Sequence, residues 1–116
     1  MPIFSIHTNV PVEASKATEI AKEFSKVIAR ILGKPESYVS VHIQAGSSLV
    51  FGGSSDPAGY AVLKSIGGVG GKKNNDHSQE LFPLVEKFFG IPGNRFYIEY
   101  INIGAADIAF SGATFA

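Results

Sequence analysis

Pro2 is the residue of this sequence whose type and position are best suited to chemistry. A small residue after Met1 permits removal of the initiator methionine, which would leave Pro2 with a free secondary amine. An α-amino group has a pKa of about 7.7–8.0 in peptides, and an apolar pocket or a nearby cation lowers that pKa. Such an amine can remove a proton beside a carbonyl and return it to the neighbouring atom. The alternative is that Pro2 only starts an edge strand, where a missing N–H does no harm.

Lys34 is the second candidate, because it follows Gly33 at the predicted end of a helix, where loops gather. A lysine there could bind a carboxylate as a point charge, and it would lower the pKa of a nearby amine by repulsion. The alternative is a solvated lysine that stabilises the negative end of the helix.

Metal and nucleotide sites are not indicated by the sequence. His7, His42 and His77 lie on separate predicted elements, without the i,i+4 or His-x-His spacing of metal ligands. The glycine-rich run at residues 67–71 does not join a strand to a helix as a nucleotide loop does, so we expect turns there. We therefore expect no metal and no cofactor.

The elements that must position these residues occur twice in the chain. An offset of 57 residues aligns residues 33–43 with residues 90–100, and two such units span residues 1–57 and 58–114. Each unit is predicted to be strand, helix, strand. In chain order the predicted elements are Ile3–Thr8, Glu13–Leu32, Val39–Ile43, Tyr60–Ser65, a helix of roughly Ser78–Phe89, and Phe96–Ile103. Pro83 lies inside the second helix, and we expect it to distort the first turns or to move the true start later.

These two units predict one domain over residues 1–116, of the α/β (α+β) class. Right-handed crossovers place both helices on one face of a four-stranded mixed sheet. The other face is then bare, and the last predicted strand is apolar on both sides because it contains Ile98, Tyr100, Ile101 and Ile103. A cyclic homo-oligomer would cover this face, with the apolar C-terminal tail as an added short edge strand.

The composition argues against several classes of function. The formal net charge is 0 and 17% of the residues are charged, so we expect neither nucleic acid nor a membrane surface as a partner. The absence of cysteine excludes disulfides, thiolate metal sites and dithiol chemistry. No segment has the pattern of a secretory signal or of a bilayer span. We therefore expect a cytoplasmic protein, whose secretion would need a route without a signal peptide.

Seven segments resemble a known family in their order and spacing, namely MP-x-F at the start, TNVP (Thr8–Pro11), GKPESY (Gly33–Tyr38), FGGSSDP (Phe51–Pro57), SIG-x-x-GG (Ser65–Gly71), RFYIEY (Arg95–Tyr100) and the terminal TFA. They are similar, from end to end, to the macrophage migration inhibitory factor family of the tautomerase superfamily. The resemblance implies a homotrimer of tandem βαβ units with an active site at each subunit interface. It also implies keto–enol tautomerase (isomerase) activity on small aromatic 2-oxo acids such as phenylpyruvate, or on dopachrome-type compounds.

The resemblance further implies roles for individual residues. Pro2 would be the catalytic base, and Lys34 would hold the substrate carboxylate with the backbone N–H of Ile66. Tyr97 would reach in from the adjacent subunit as pocket wall and hydrogen-bond donor. Tyr38 aligns with an aromatic residue at the pocket mouth.

Some positions depart from the vertebrate members of the family. Glu99 stands where they have an asparagine that contacts the ring end of the substrate, and an ionised carboxylate cannot donate a hydrogen bond. If Glu99 faced Pro2, it would raise the pKa of the amine. Ile108 and Phe110 replace a valine and a tryptophan of the apolar rim. A Cys-x-x-Cys motif of the family maps onto Ala58–Ala61, so its thiol chemistry does not carry over.

Two other functions remain open at this point. Some relatives act outside cells as cytokine-like signals, so the protein could be a secreted ligand of a cell-surface receptor with a vestigial pocket. A purely structural oligomer is the third interpretation, and it predicts no ligand and no activity.

Overall fold

The computed structural model describes all residues from Met1 to Ala116, and it confirms the predicted fold class. Two helices and a four-stranded mixed sheet make up most of the chain. The strands of this sheet are β1 (Ile3–Thr8), β2 (Ser40–Gln44), β3 (Gly59–Ser65) and β4 (Phe96–Asn102), and the helices are α1 (Ala14–Leu32) and α2 (Lys72–Phe89). A short C-terminal hairpin adds β5 (Ala109–Phe110) and β6 (Ala113–Thr114). Neither helix combines the length and the apolar content that a bilayer-crossing segment requires.

The sheet has the strand order β2-β1-β3-β4. Strands β1 and β2 are parallel, as are β3 and β4, so each repeat unit forms the predicted parallel pair. The two units meet where β1 and β3 run antiparallel, with Ile3 opposite Lys64. This arrangement brings the start of β1, the end of β3 and the end of β4 to the same end of the sheet.

Helix α1 follows from its apolar stripe and from its terminal glycine. Its buried residues recur every four positions, at Ile20, Phe24, Ile28 and Leu32, and they pack in the core against the sheet. Gly33 ends the helix with a φ of 64°, a left-handed conformation that glycine adopts without strain. The next N–H, that of Lys34, donates to the carbonyl of Ala29 at 3.0 Å, which fixes the direction in which the chain leaves the helix.

The predicted start of the second helix is wrong. Helix α2 begins at Lys72, six residues before Ser78, and continues through Pro83. Proline has no N–H to donate to the carbonyl of Gln79, four residues earlier in the helix. Because Pro83 and Gln79 are both exposed, that carbonyl can bond water instead. The 57-residue offset maps the start of α1 onto residue 71, so the repeat predicted this boundary better than the proline did.

The sheet has one buried face and one face that is largely free. The core lies between the sheet and the two helices. We call the other side the open face, which presents Ile3, Ser5, His7, Ser40, His42, Gln44, Tyr60, Val62, Lys64, Tyr97, Glu99 and Ile101. Large aromatic side chains on it are accessible, with Tyr60 43% and Tyr97 68% exposed. Exposed apolar and aromatic surface of this kind is typical of an interaction surface, so the bare face predicted from the sequence is present in the single chain.

Two fully buried hydroxyls offer a matched test of the core. Thr8 Oγ1 donates to the carbonyl of Ala58 at 2.7 Å and accepts from the N–H of Val10, whereas Ser65 Oγ has no hydrogen-bond partner. We expect Thr8→Val to lower the free energy of unfolding by about 1–3 kcal/mol, and Ser65→Ala to change it by less than about 1 kcal/mol. Urea unfolding at one fixed protein concentration measures both. A loss for Ser65→Ala as large as that for Thr8→Val would contradict the expectation.

Candidate active site

The amino terminus lies in a buried position at the start of β1. Pro2 is fully buried and Met1 is half-buried. The Pro2 carbonyl accepts a hydrogen bond from the N–H of Ser40 at 3.0 Å, which holds this residue beside β2. Burial, and secondarily the charge of Lys34, lower the pKa of the Met1 amino group below its usual value of 8.0. Removal of Met1 would move the amine one residue inward, to the more buried Pro2.

Lys34 reaches the same end of the sheet. Its Nζ donates to the carbonyl of Ile66 at 2.9 Å, across 32 residues of sequence. Because Ile3 lies opposite Lys64 in the antiparallel pairing, the next step of the register brings Pro2 beside the end of β3. The structure therefore brings together Pro2, Lys34 and Ile66. The contact it shows is to the Ile66 carbonyl, whereas the sequence-based expectation concerned the Ile66 N–H.

Three partly exposed aromatic rings form a cluster around Tyr38, which follows Lys34 by four residues in the chain. The Tyr38 ring lies 5.4 Å from that of Phe110 and 6.0 Å from that of Phe115, and the two phenylalanine rings are 6.1 Å apart. Hydrogen bonds from the Phe115 N–H to the carbonyls of Ala105 and Ile108 hold the C-terminal hairpin in place. Tyr38 and Phe110 were predicted as site residues and Phe115 was not, although it lies in the terminal TFA segment.

Ile108 lies on a separate part of this surface. It lines a pocket of about 520 Å³ together with Ile3, the residue that follows Pro2, and with Ile101 of the open face. Lys64 and Asp107 add one charge of each sign to the same pocket. The pocket can therefore hold an apolar group with a polar substituent beside the start of β1. Lys64 was not predicted as a site residue, since a strand lysine gives no signal of its own.

Tyr97 and Glu99 do not lie beside the amine within one chain. Through Lys64 of β3, the register places Ile101 at the level of Ile3. Tyr97 precedes Ile101 by four residues on β4, which puts it about 13 Å further along the strand and about 10 Å across the sheet from β1. Glu99 is also on the open face and is exposed. Any contact of these two side chains with an amine must therefore involve a second subunit.

The histidines make ring and backbone contacts. On the open face, His7 stacks on Tyr60 with ring centroids 4.7 Å apart, and its centroid is 6.3 Å from that of His42. His77 is buried on the other side of the sheet, with its Nε2 2.7 Å from the carbonyl oxygen of Gly68. No group of three His, Asp or Glu side chains has an arrangement that could hold a metal ion.

Comparison with known proteins gives matches over the whole chain. A family model described as macrophage migration inhibitory factor (MIF) matches residues 1–116. The chain is 50% identical over 115 residues to the macrophage migration inhibitory factor homolog of Trichuris trichiura, covering 99% of this chain and 100% of that protein. It is also 50% identical to the homolog of Brugia malayi over 115 residues, covering 99% of each.

Solved structures match equally well. The macrophage migration inhibitory factor of Trichinella spiralis has a TM-score of 0.90 and 40% identity, covering 97% of this chain and 99% of that chain. The homologue from Prochlorococcus marinus has a TM-score of 0.92 and 33% identity, covering 98% of this chain and 99% of the other.

Proposed function

We propose that this chain, which belongs to the macrophage migration inhibitory factor family, is a keto–enol tautomerase whose general base is the Pro2 amine exposed by removal of Met1. Membership of the family supports tautomerase or cytokine-like roles in general. One observation carries the more specific proposal: Pro2 is buried, and at the half-buried Met1 that precedes it burial and, to a lesser extent, the charge of Lys34 lower the pKa of the amino group. Removal of Met1 would leave the amine on the more buried Pro2, and a lowered pKa favours the neutral form, which is the one that accepts a proton.

The proposed reaction needs only proton transfer. The neutral Pro2 amine takes a proton from the carbon beside the keto group, the carbonyl oxygen gains the electron pair, and the protonated amine delivers the proton to that oxygen to give the enol. The reverse reaction returns the proton to carbon. Lys34 would hold the substrate carboxylate, because its ammonium has three donors and the Ile66 carbonyl uses one. This geometry supports small aromatic 2-oxo acids such as phenylpyruvate as substrates.

The aromatic cluster and the pocket lined by Ile108 have properties that suit the aromatic end of such a substrate. Tyr38, Phe110 and Phe115 present partly exposed rings that could stack on a substrate ring. Ile108 would supply an apolar wall from the pocket that it lines with Ile3. Without the tryptophan N–H of the vertebrate members, the ring of Phe110 offers a stacking surface only.

The proposed site is complete only in a homotrimer. Tyr97 is remote from the amine of its own chain, and its 68% exposed side chain is free to enter a neighbouring subunit. The open face would be covered by the same assembly. Glu99 would then lie near the ring end of the substrate, where its carboxylate could accept a hydrogen bond from a phenolic hydroxyl.

Turnover of phenylpyruvate by the native protein and by Pro2→Gly tests the proposal. We expect native turnover, and a kcat/KM at least about tenfold lower in Pro2→Gly, since glycine keeps an amine but changes its position and basicity. Intact mass must first show that Met1 has been removed from both proteins. Equal rates for the two would refute Pro2 as the base.

A second candidate is a secreted, cytokine-like ligand of a cell-surface receptor, whose pocket is vestigial. The observation that favours it is Glu99, which places an exposed carboxylate where the vertebrate members of the family have an asparagine. Retention of Met1 in the mature protein would favour this candidate, because it blocks the Pro2 amine. Specific binding to cells that is unchanged in Pro2→Gly, together with absent turnover, would do the same. If the protein is instead a cytoplasmic tautomerase, we expect Met1 to be removed, turnover to depend on Pro2 and specific binding to cells to be absent.

A further inference from the structure

Residues 51–58, which we call the 51–58 loop, are held to the sheet by one arginine and one asparagine. The guanidinium of Arg95 donates to four backbone carbonyls at 3.0–3.3 Å, those of Phe51, Ser54, Asp56 and Pro57. Asn9 donates from its amide to the carbonyls of Ser55 and Asp56 and accepts from the N–H of Ala58. Phe51 and Ser54 also exchange two backbone hydrogen bonds, at 3.0 and 3.1 Å, which close the turn between them. Arg95 and Asn9 tie this turn and the residues after it to the sheet.

The anchored loop places the Phe51 ring against Tyr97. The Arg95 guanidinium carbon lies 5.5 Å from the centroid of the Phe51 ring. The same ring lies 5.1 Å from the ring of Tyr97, at a tilted interplanar angle of 36°. Phe51 is the one aromatic ring in contact with Tyr97. Phe51 therefore contacts both Arg95 and Tyr97, which are two residues apart in the chain.

We propose that Phe51, held in place by Arg95, is a positioning residue that fixes the direction of the Tyr97 side chain for the pocket of the neighbouring subunit. This inference rests on the proposed function, in which Tyr97 serves that pocket. A strand tyrosine has two common orientations about its first side-chain torsion, and an exposed one populates both unless a neighbour excludes one. Phe51 supplies that neighbour. The orientation is then set before a ligand arrives, which reduces the entropy lost on binding.

A double-mutant cycle with a ligand that cannot be turned over tests this inference. The probe is 4-hydroxycinnamate, an aromatic carboxylate without a keto group, and its Kd is measured by titration with Phe51→Leu, Tyr97→Ala and the double variant. We expect Phe51→Leu to weaken binding about three- to tenfold, the range of aromatic pair energies. Tyr97→Ala should weaken it at least as much, and the double variant should bind as Tyr97→Ala does. Fully additive losses would overturn the inference, since Phe51 would then act independently of Tyr97.

Two matched variants separate positioning from a general loss of structure. Phe51→Tyr keeps an aromatic ring in contact with Tyr97, so its Kd for the probe should lie within about twofold of that of the native protein. Ser55→Ala alters a loop residue that is held through its backbone carbonyl, and it should bind as the native protein does. If Phe51→Leu does not fold or assemble, Arg95→Lys takes its place in the cycle, because lysine lacks the planar fork that spans four carbonyls. If Ser55→Ala weakened binding of the probe as much as Phe51→Leu does, the inference would be overturned.

The outcomes for the inference and for the proposed function are distinguishable. If the native protein binds the probe and the cycle is non-additive but no keto acid is turned over, the proposed function fails and the positioning role stands. If turnover depends on Pro2 and the cycle is additive, the positioning role fails and the function stands. A native protein that turns over phenylpyruvate but does not bind the probe also overturns the inference.

Discussion

Tautomerase activity is expected to fall by about 10³-fold when one uncleavable residue precedes Pro2, because general base catalysis typically contributes 10²–10⁴-fold. The extension converts the secondary amine into an amide, whose nitrogen has no basic lone pair. The loss should appear in kcat/KM for phenylpyruvate, and the residual activity of the extended protein should no longer rise with pH through the pKa of the amine. It should exceed the loss in Pro2→Gly, which keeps a titratable amine.

The structure indicates that this loss reports on the amine and not on the fold. Met1 precedes Pro2 in the described chain, and it is accommodated in a half-buried position. With Met1 in place, the Pro2 carbonyl still accepts from the N–H of Ser40, and Lys34 Nζ still contacts the Ile66 carbonyl. The extended protein should therefore keep its oligomeric size and its unfolding midpoint, and these two measurements are the controls. Full activity of an extended protein of verified mass would contradict the proposed mechanism.

Lys34→Ala is expected to have the second largest effect, a loss of about 10- to 100-fold in kcat/KM, mainly through a higher KM. A hydrogen bond to a charged group contributes about 1.5–3 kcal/mol, and about 1.4 kcal/mol corresponds to a tenfold change. Lys26→Ala is the matched control, since Lys26 lies exposed on α1, the helix that precedes Lys34, and pairs only with Glu23 at 3.6 Å. We expect no change in that variant. An unchanged KM in Lys34→Ala would mean that the substrate carboxylate is bound elsewhere.

The pH profile provides a second measurement of the same variant. The base is active when neutral, so kcat/KM should rise with pH through the pKa of the amine and level off above it. Burial and Lys34 both lower the pKa of the Met1 amino group, and we expect them to lower the pKa of the Pro2 amine in the same way. Activity should therefore persist to a lower pH than an amine with the usual value of 8.0 would allow. Lys34→Ala removes the lesser of these two causes. The acid limb of its pH profile should therefore move to higher pH, but by less than the full amount by which the pKa of the amine is lowered in the native protein. If the acid limb of Lys34→Ala moved to lower pH, this would contradict the expectation that Lys34 lowers the pKa of the amine.

The secondary structure could be predicted from the sequence because its determinants are local. The apolar stripe of α1, the glycine at its end and the alternation of β2 depend on residues a few positions apart. The error at α2 arose where a local rule was applied to Pro83 alone. The buried residues His77, Leu81, Val85 and Phe89 form a stripe along this helix, and tertiary packing of that stripe outweighs the missing hydrogen bond.

The site was predictable only in part. The resemblance named Pro2, Lys34 and Ile66, and the structure brings these residues together. Phe115 and Lys64 were not predicted, because a terminal phenylalanine and a strand lysine have no chemical signature in sequence. The contacts of Phe51 with Arg95 and Tyr97 join residues 44 or more positions apart in the chain, so no spacing rule could have indicated them.

The sequence by itself determined the tandem repeat, the type of each element and the presence of a small residue after Met1 that can become the terminal amine. Only the tertiary structure decided that Pro2 is buried at the end of the sheet that Lys34 reaches and that Tyr97 lies at the other end of the open face. The physical reason is that burial and distance depend on the strand order β2-β1-β3-β4 and on its register. Backbone pairing between distant segments sets the strand order and the register, which the residues near Pro2 in the chain cannot determine.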